Sequence, residues 1–414
     1  MKKILLSILI GIFVLTLTNF SAVAAQVKVY EVPMICDFAG PYADLMKITV
    51  PTREAIFKWW NETEGQKLGV KLVPKNYDGR YDATVVASMW PGILAGKPIM
   101  AAGLGGPDVA ALQQRLPRDK VPLVFPVAGY GFGWLPNQWI FQPRPTYSHE
   151  QLGALVWFIK NHPEKRPVRV AFMSTQASPA YIDICNGSKK YIKEVLESKG
   201  LATVVSEQWI DVQPVDVSTQ LQNIIQQKAD VILGIGNTSM AAALIRAEQG
   251  LGVNIPTISA PHHTIWPLSM AMKTFKPWEG HYVVGAVVSS AEKEGKAYQF
   301  FKMLQKKYGL SDNVWSPFGT LGLTQGLLMV RVVEHAAKKV GGANLTGQAI
   351  YNAFNAGPIT EEEMMGVIPT QYFVSKVEPF STKNLKVKIT TVKDGTYQLA
   401  TPGWVPVPSD IKKW

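Results

Sequence analysis

The chain has 414 residues, 47% of them hydrophobic and 18% charged. That composition excludes a disordered or low-complexity polypeptide and supplies apolar material for two or three domains. The formal charge of +11 at pH 7 is spread along the chain, without an arginine-rich block or a basic patch interleaved with aromatics, and this excludes a nucleic-acid partner.

The first 25 residues stand apart. Lys2 and Lys3 precede the apolar run 4–17, and Ala22-Val23-Ala24-Ala25 follows. A basic start, an apolar middle and small residues at the cut are the parts of a secretory leader, removed after Ala24 or Ala25. No cysteine sits at the cut, so a lipid anchor is not expected. No later stretch approaches the ~18 apolar residues of a membrane span. Export removes the chain from ATP and NAD pools, and no cofactor is expected. It also permits disulfides, but nothing in the sequence brings Cys36 and Cys185 together, and both are read as buried free thiols.

After the leader, apolar runs alternate with helix-period segments. Strands are expected at 27–36, 70–77, 99–102 and 121–127, with helices at 42–63, 83–95 and 108–116 between them. A Pro- and Trp-rich passage ends in Phe141–Tyr147, read as a crossing between lobes. The alternation then resumes, with strands at 168–173, 203–209, 231–234 and 257–259 and helices at 148–161, 181–199, 217–227 and 239–249. A strand at 281–288 and helices at 292–308, 320–339 and 345–354 precede a β-rich tail with strands at 386–391 and 397–400. This pattern predicts parallel sheets with right-handed crossovers, an α/β fold of two lobes facing each other across a cleft.

One unit occurs twice. Gly103-Leu104-Gly105-Gly106-Pro107 and Gly234-Ile235-Gly236-Asn237-Thr238 each link an apolar strand to a helix. Neither is a P-loop, since no Gly-Lys-Ser/Thr follows, and the first lacks the third glycine of a dinucleotide fingerprint. What remains is a turn that lets a ligand approach backbone, with helix N–H groups suited to a carboxylate or another polar oxygen. Aromatics on the Gly-rich loop Tyr130-Gly131-Phe132-Gly133-Trp134, and Trp139, are candidate pocket walls. The enzyme readings lack support: there is no Gly-x-Ser-x-Gly elbow and no His-Glu-x-x-His helix. His262 and His263 point to opposite sides of an extended chain, and Glu361–Glu363 reads as a solvated turn.

Several blocks in order resemble one family. They are Cys36-Asp37-Phe38-Ala39-Gly40-Pro41-Tyr42, Asn76-Tyr77-Asp78-Gly79, Trp278–Val284, Phe300–Gly309 and Val392–Leu399. Together they resemble the type I periplasmic solute-binding proteins of ABC transporters, in particular the leucine/branched-chain amino acid-binding group. The resemblance implies two Rossmann-like lobes joined by three hinge crossings. The expected division is a leader at 1–25, lobe one at 26–143 plus 288–360, and lobe two at 144–287 plus 361–414. It also implies a periplasmic monomer that closes on a small ligand, delivers it to a membrane permease and catalyses nothing.

By the same resemblance, Tyr42, Gly105, Gly106, Ala128, Gly129 and Tyr130 offer lobe-one contacts. Tyr181, Asn237 and His262 do so in lobe two, and Trp315 lies near the cleft. The family holds the α-carboxylate with hydroxyl side chains where this chain has Gly105-Gly106-Pro107, and meets the ammonium with an acid near the position of His262. An imidazole does not replace that acid. The expected ligand is a small amino acid or related carboxylate, with an aromatic or aliphatic carboxylate lacking an amine as the rival. A ligand-sensing receptor module of the same fold is the further alternative.

Overall fold

The computed structural model describes residues 27–414 except 128, 130, 136, 165, 178, 261–264, 374–379 and 381–382; the side chains of Phe132 and Pro267 also lie outside the description. The first sheet is wholly parallel. Strand β1 (Lys28–Cys36) pairs with β2 (Val70–Asp78) from Lys28↔Val70 to Cys36↔Asp78. On its other side follow β3 (Ala101–Ala102), β4 (Leu123–Val124) and β5 (Ile140–Phe141), in the order β2-β1-β3-β4-β5. Pro74 falls in β2, the edge strand, where a missing N–H is tolerated.

Alternation along β1 decides what each face of this sheet meets. Val32 and Met34 enter one core with Ile56, Trp60, Leu327 and Val330. Ile35 enters the other, with Val86, Trp90 and Val109. Helices α1 (Ala43–Trp60), α2 (Ala83–Ala95), α3 (Gly106–Leu112) and α4 (Leu116–Asp119) belong to the first pass of the chain. Asp82 starts α2 by accepting the N–H groups of Thr84 and Val85 at 2.7 and 3.1 Å, a side-chain N-cap.

The second lobe repeats this plan. It contains α5 (Tyr147–Asn161), β6 (Val168–Ser174), α6 (Pro179–Tyr191), β7 (Ala202–Trp209), α7 (Ser218–Gln226), β8 (Val231–Gly234), α8 (Thr238–Leu251), β9 (Thr257–Ser259), α9 (Ile265–Met272) and β10 (Tyr282–Gly285). Its parallel strands run β7-β6-β8-β9-β10. Val170 and Phe172 of β6 face one core, Ala171 and Met173 the other.

The chain then returns to lobe one for α10 (Gly295–Tyr308), α11 (Pro317–Val340) and α12 (Gly347–Phe354). Helix α11 lies against α1. A Cβ at Gly322 would meet Thr52 Cβ at 2.9 Å, and one at Gly326 would meet Ile56 Cδ1 at 2.8 Å, so these glycines set the close approach of the two helices. The chain finally supplies β11 (Lys386–Lys393), antiparallel to β10, with β12 (Thr396–Leu399) and β13 (Val405–Pro406) beside it.

The last crossing comes later than the expected boundary at 360. Met364, Val367, Ile368 and Phe373 still pack in the first-lobe core. Cys36 and Cys185 are both buried and free.

Two glutamines hold the repeated glycine turns in matching ways. Gln325 of α11 donates to the carbonyls of Gly103 and Val124 at 2.9 and 2.8 Å. Its oxygen accepts from the buried Arg53 guanidinium at 2.9 Å. Gln151 of α5 donates to the carbonyls of Gly234 and Ile258 at 3.3 and 3.4 Å. Each amide thus ties the strand end at its own glycine turn to the neighbouring strand, at the carboxyl edge where open α/β sheets bind ligands.

Candidate functional site: a tyrosine-lined cleft between the lobes

Four tyrosines converge where the two carboxyl edges meet. Tyr42 precedes α1 and Tyr81 follows β2 in lobe one; Tyr147 opens α5 and Tyr181 lies in the first turn of α6. The Tyr42 and Tyr81 rings are tilted against each other at 4.5 Å. Across the cleft, the Tyr42 and Tyr181 hydroxyls are 3.4 Å apart. Tyr147, Tyr181, Ile184 and Ala260 form a small apolar cluster, on which Val127 of lobe one packs.

Burial, and then the neighbouring phenols, raise the Tyr81 and Tyr181 hydroxyls well above the ordinary phenol value. Both stay protonated. They are neutral groups that can donate to an oxygen and accept from an N–H or O–H.

Tyr81 explains the first glycine turn. A Cβ on Gly105 would lie 2.3 Å from Tyr81 Cε2 and 2.8 Å from its hydroxyl. The phenol ring therefore occupies the space that the missing side chain leaves. Arg80 and Tyr81 both adopt left-handed backbone, at φ 52° each, a conformation uncommon for non-glycine residues. That turn swings the ring onto Gly105. In lobe two, a Cβ at Gly236 would meet Met240 Sδ at 2.9 Å and Tyr181 Cε1 at 3.2 Å. Each lobe thus seats a tyrosine against the glycine of its strand-to-helix turn.

Of the two backbone amides expected to meet ligand at this turn, Gly105 and Gly106, that of Gly105 is already engaged. The buried Asp108 side chain reaches back to accept the N–H of Leu104 and, at 3.1 Å, that of Gly105. Burial pushes the Asp108 carboxyl up to about 6, against the lowering effect of those two amides and with a further rise from Asp37. The helix end therefore carries its own acid. The reason is local: an aspartate three residues into the turn satisfies orphan N–H groups that would otherwise await an anion.

The other expected site residues fall as follows. Tyr42 and Tyr181 are brought together, and Gly106 begins α3. Gly129 donates its N–H to Pro145 O at 2.9 Å and accepts from Tyr147 N at 3.1 Å, so it is built into the first crossing. Asn237 caps α8, accepting from Met240 N at 2.9 Å, and its amide donates to Val212 O at 2.7 Å. Both ends of that side chain are engaged. Trp315 lies apart, in the first-lobe core against Tyr298 and Phe301, with its N–H on Glu292 O at 2.8 Å. Ala128, Tyr130 and His262 lie outside the described residues.

Of the aromatics read as pocket walls, Trp139 stacks on Tyr351 at 4.2 Å in the lobe-one core. Trp134 packs against His149, Phe380 and Trp414. Sequence reasoning missed Tyr81, Tyr147 and Asp108. The available signals were a tyrosine just past a strand's carboxyl end and another closing Phe141–Tyr147.

Beside the cleft, a buried ion pair joins two crossings. Arg144 Nε and Nη2 donate to Glu150 at 2.8 and 2.6 Å, and the Ala286 N–H donates to the same carboxylate at 2.7 Å. Among the described residues, no group of three or more His, Cys, Asp or Glu side chains is placed to hold a metal ion.

The profile of the periplasmic binding protein family matches residues 29–376. The chain belongs to this family. Periplasmic binding proteins are carriers, not catalysts.

Solved structures of similar fold include a branched-chain amino acid ABC transporter protein from Thermus thermophilus with bound valine. It is 16% identical with a TM-score of 0.74, and 93% of this chain and 97% of that one are covered. A fatty acid ABC transporter substrate-binding protein from Thermomonospora curvata is 18% identical, with a TM-score of 0.74 and 93% of each chain covered. A solute-binding protein from R. palustris in complex with benzoate is 16% identical, with a TM-score of 0.70 and coverage of 94% and 99%. No curated protein matches the sequence.

Proposed function

We propose that this periplasmic binding protein is the exported substrate-binding component of an ABC importer. It grips a small carboxylate without an α-amine between its lobes and hands it to a membrane permease. The convergence of Tyr42, Tyr81, Tyr147 and Tyr181 from both lobes carries this reading. Phenol hydroxyls donate to a carboxylate oxygen in charge-assisted hydrogen bonds, and their ring faces wall an apolar tail.

An ammonium group finds less support. Asp108 is buried and already turned onto the Leu104 and Gly105 amides. An unpaired cation in a desolvated site is costly. Valine, fatty acids and benzoate, named for structures of similar fold, share a carboxylate; the tyrosine lining favours the two without an amine. The 1–25 leader directs export, and closure strengthens each polar contact by removing water.

The test is a thermal-shift and calorimetry screen with benzoate, hexanoate and valine. Benzoate or hexanoate is expected to stabilise the protein, and Tyr181→Phe to weaken that binding by about tenfold, the loss of one charge-assisted hydrogen bond. A larger response to valine, or unchanged affinity in Tyr181→Phe, overturns the reading.

A further inference from the structure

The loop Gly131–Trp134 and segment 410–414 take no part in the proposed ligand contacts, yet they meet across the two lobes. The loop leaves the first sheet between Leu123–Val124 and Ile140–Phe141. Segment 410–414 is rooted on lobe two: Tyr191 donates its hydroxyl to Asp410 at 2.7 Å, and Lys190 Nζ donates to Lys413 O at 2.8 Å. Trp414 lies in a notch made by Gly187, where a Cβ would fall 2.6 Å from the indole.

From that seat the segment reaches lobe one. The Trp414 and Trp134 rings meet edge-on at 5.3 Å, and Lys413 Nζ donates to Trp134 O at 3.2 Å. Asp183 of α6 joins the two parts. Its carboxylate accepts Trp414 Nε1 at 2.6 Å and the backbone N–H of Gly131. His149 and Phe380 close the cluster around Trp134.

We propose that Trp414 and Asp183 form a latch that fastens the Gly131–Trp134 loop of lobe one to lobe two and sets how much of the protein is closed. Contacts within one lobe stabilise open and closed forms alike. Contacts that span the lobes exist only when they meet, so they shift the closure equilibrium by their own free energy. Gly129 lies two residues before the loop and is bonded to the first crossing. The latch therefore also positions that rim of the cleft, and Trp414 acts through the loop as a positioning residue.

The experiment uses the ligand-free full chain and so does not depend on the ligand class. Spin labels are placed at Lys47→Cys and Val215→Cys, one on each lobe, where the side chain of Lys47 is 76% exposed and Val215 is 91% exposed. Cys36→Ser and Cys185→Ser remove the native thiols. Pulsed dipolar distances are then read for the parent and for Trp414→Ala, Trp414→Phe, Asp183→Ala and Asp183→Asn.

The parent is expected to hold a short-distance population. Asp183→Ala lowers the ratio of closed to open by about tenfold, the effect of losing the hydrogen bond that its carboxylate accepts from the Gly131 N–H of the other lobe, and Trp414→Ala lowers it by about threefold through the lost ring contact with Trp134. Asp183→Asn retains an acceptor and stays near the parent, and Trp414→Phe falls between. Distances in Asp183→Ala that equal those of the parent overturn the proposal. So does a shift in Asp183→Asn as large as in Asp183→Ala. Should Trp414→Ala fail to fold, the two Asp183 variants decide it.

Discussion

Replacing Gly105 by alanine puts a methyl group 2.3 Å from Tyr81 Cε2 and 2.8 Å from its hydroxyl. The backbone at Gly105 is extended, with φ −159°, so any residue can adopt it and the penalty is steric alone. Tyr81 has little room to yield, because its own left-handed backbone aims the ring and Tyr42 lies 4.5 Å behind it. Forcing one methyl into such a contact costs about 1–3 kcal/mol. In a Y81A background the clash is gone and the same change should cost close to nothing. The coupling between the two substitutions is thus about 1–3 kcal/mol, measurable from urea unfolding of the parent, G105A, Y81A and the double variant. Gly236→Ala is the internal comparison. Its nearest obstacle is the flexible Met240 Sδ at 2.9 Å, so it should cost less than G105A. An equal penalty for G105A with and without the Tyr81 ring would refute the reasoning.

Asp108 should mark the pH profile of stability. Its folded-state carboxyl, at about 6, lies above the ordinary 3.8, so its contribution is fully present below about 4 and is lost as the pH rises through about 6. Urea midpoints of Asp108→Asn should lack that fall. His149 acts in the opposite sense. Burial pushes its imidazole down from 6.5 to about 3, so its contribution is present above about 6.5 and fades as the pH falls toward 3. Its ring proton resonances should not shift between pH 5 and 8. Glu150→Gln leaves the buried Arg144 guanidinium without its counter-charge, and urea unfolding should show a loss of about 3–5 kcal/mol.

The alternation of strands and helices was legible because central strands such as β6 and β8 are buried on both faces and helices such as α10 carry one apolar stripe. Expected and observed bounds coincide at Val231–Gly234 and Thr257–Ser259. Strand β5, Ile140–Phe141, escaped because two residues give no period to read. Helix α9 escaped because Ile265–Met272 is apolar but for Ser269 and contains a proline. The late crossing after Phe373 was hidden as well, since Val367 and Ile368 read equally as strand or as core-filling turn.

The repeated glycine unit was visible, but its use was not. A glycine announces that something approaches the backbone; it does not say whether that is a solute or a side chain folded in from elsewhere. Tyr81 reaches Gly105 only through two left-handed residues, and Asp108 turns back onto its own helix start. Both depend on tertiary geometry. The matching roles of Gln325 and Gln151 arise only in the folded sheets, since each glutamine lies far in sequence from the strand ends it holds.

The interleaved path of the chain bears on how the protein is made. Helix α11, whose residues fill the centre of the first core, follows the whole parallel part of the second sheet in sequence. Strand β11, which pairs with β10, follows α11 in turn. Neither hydrophobic interior can therefore finish assembling while synthesis is still in its first half, and the ordinary order in which an amino-terminal domain folds before its successor does not apply. The polypeptide must stay unfinished until nearly all of it has emerged, and a chain threaded through an export channel is already held in that condition.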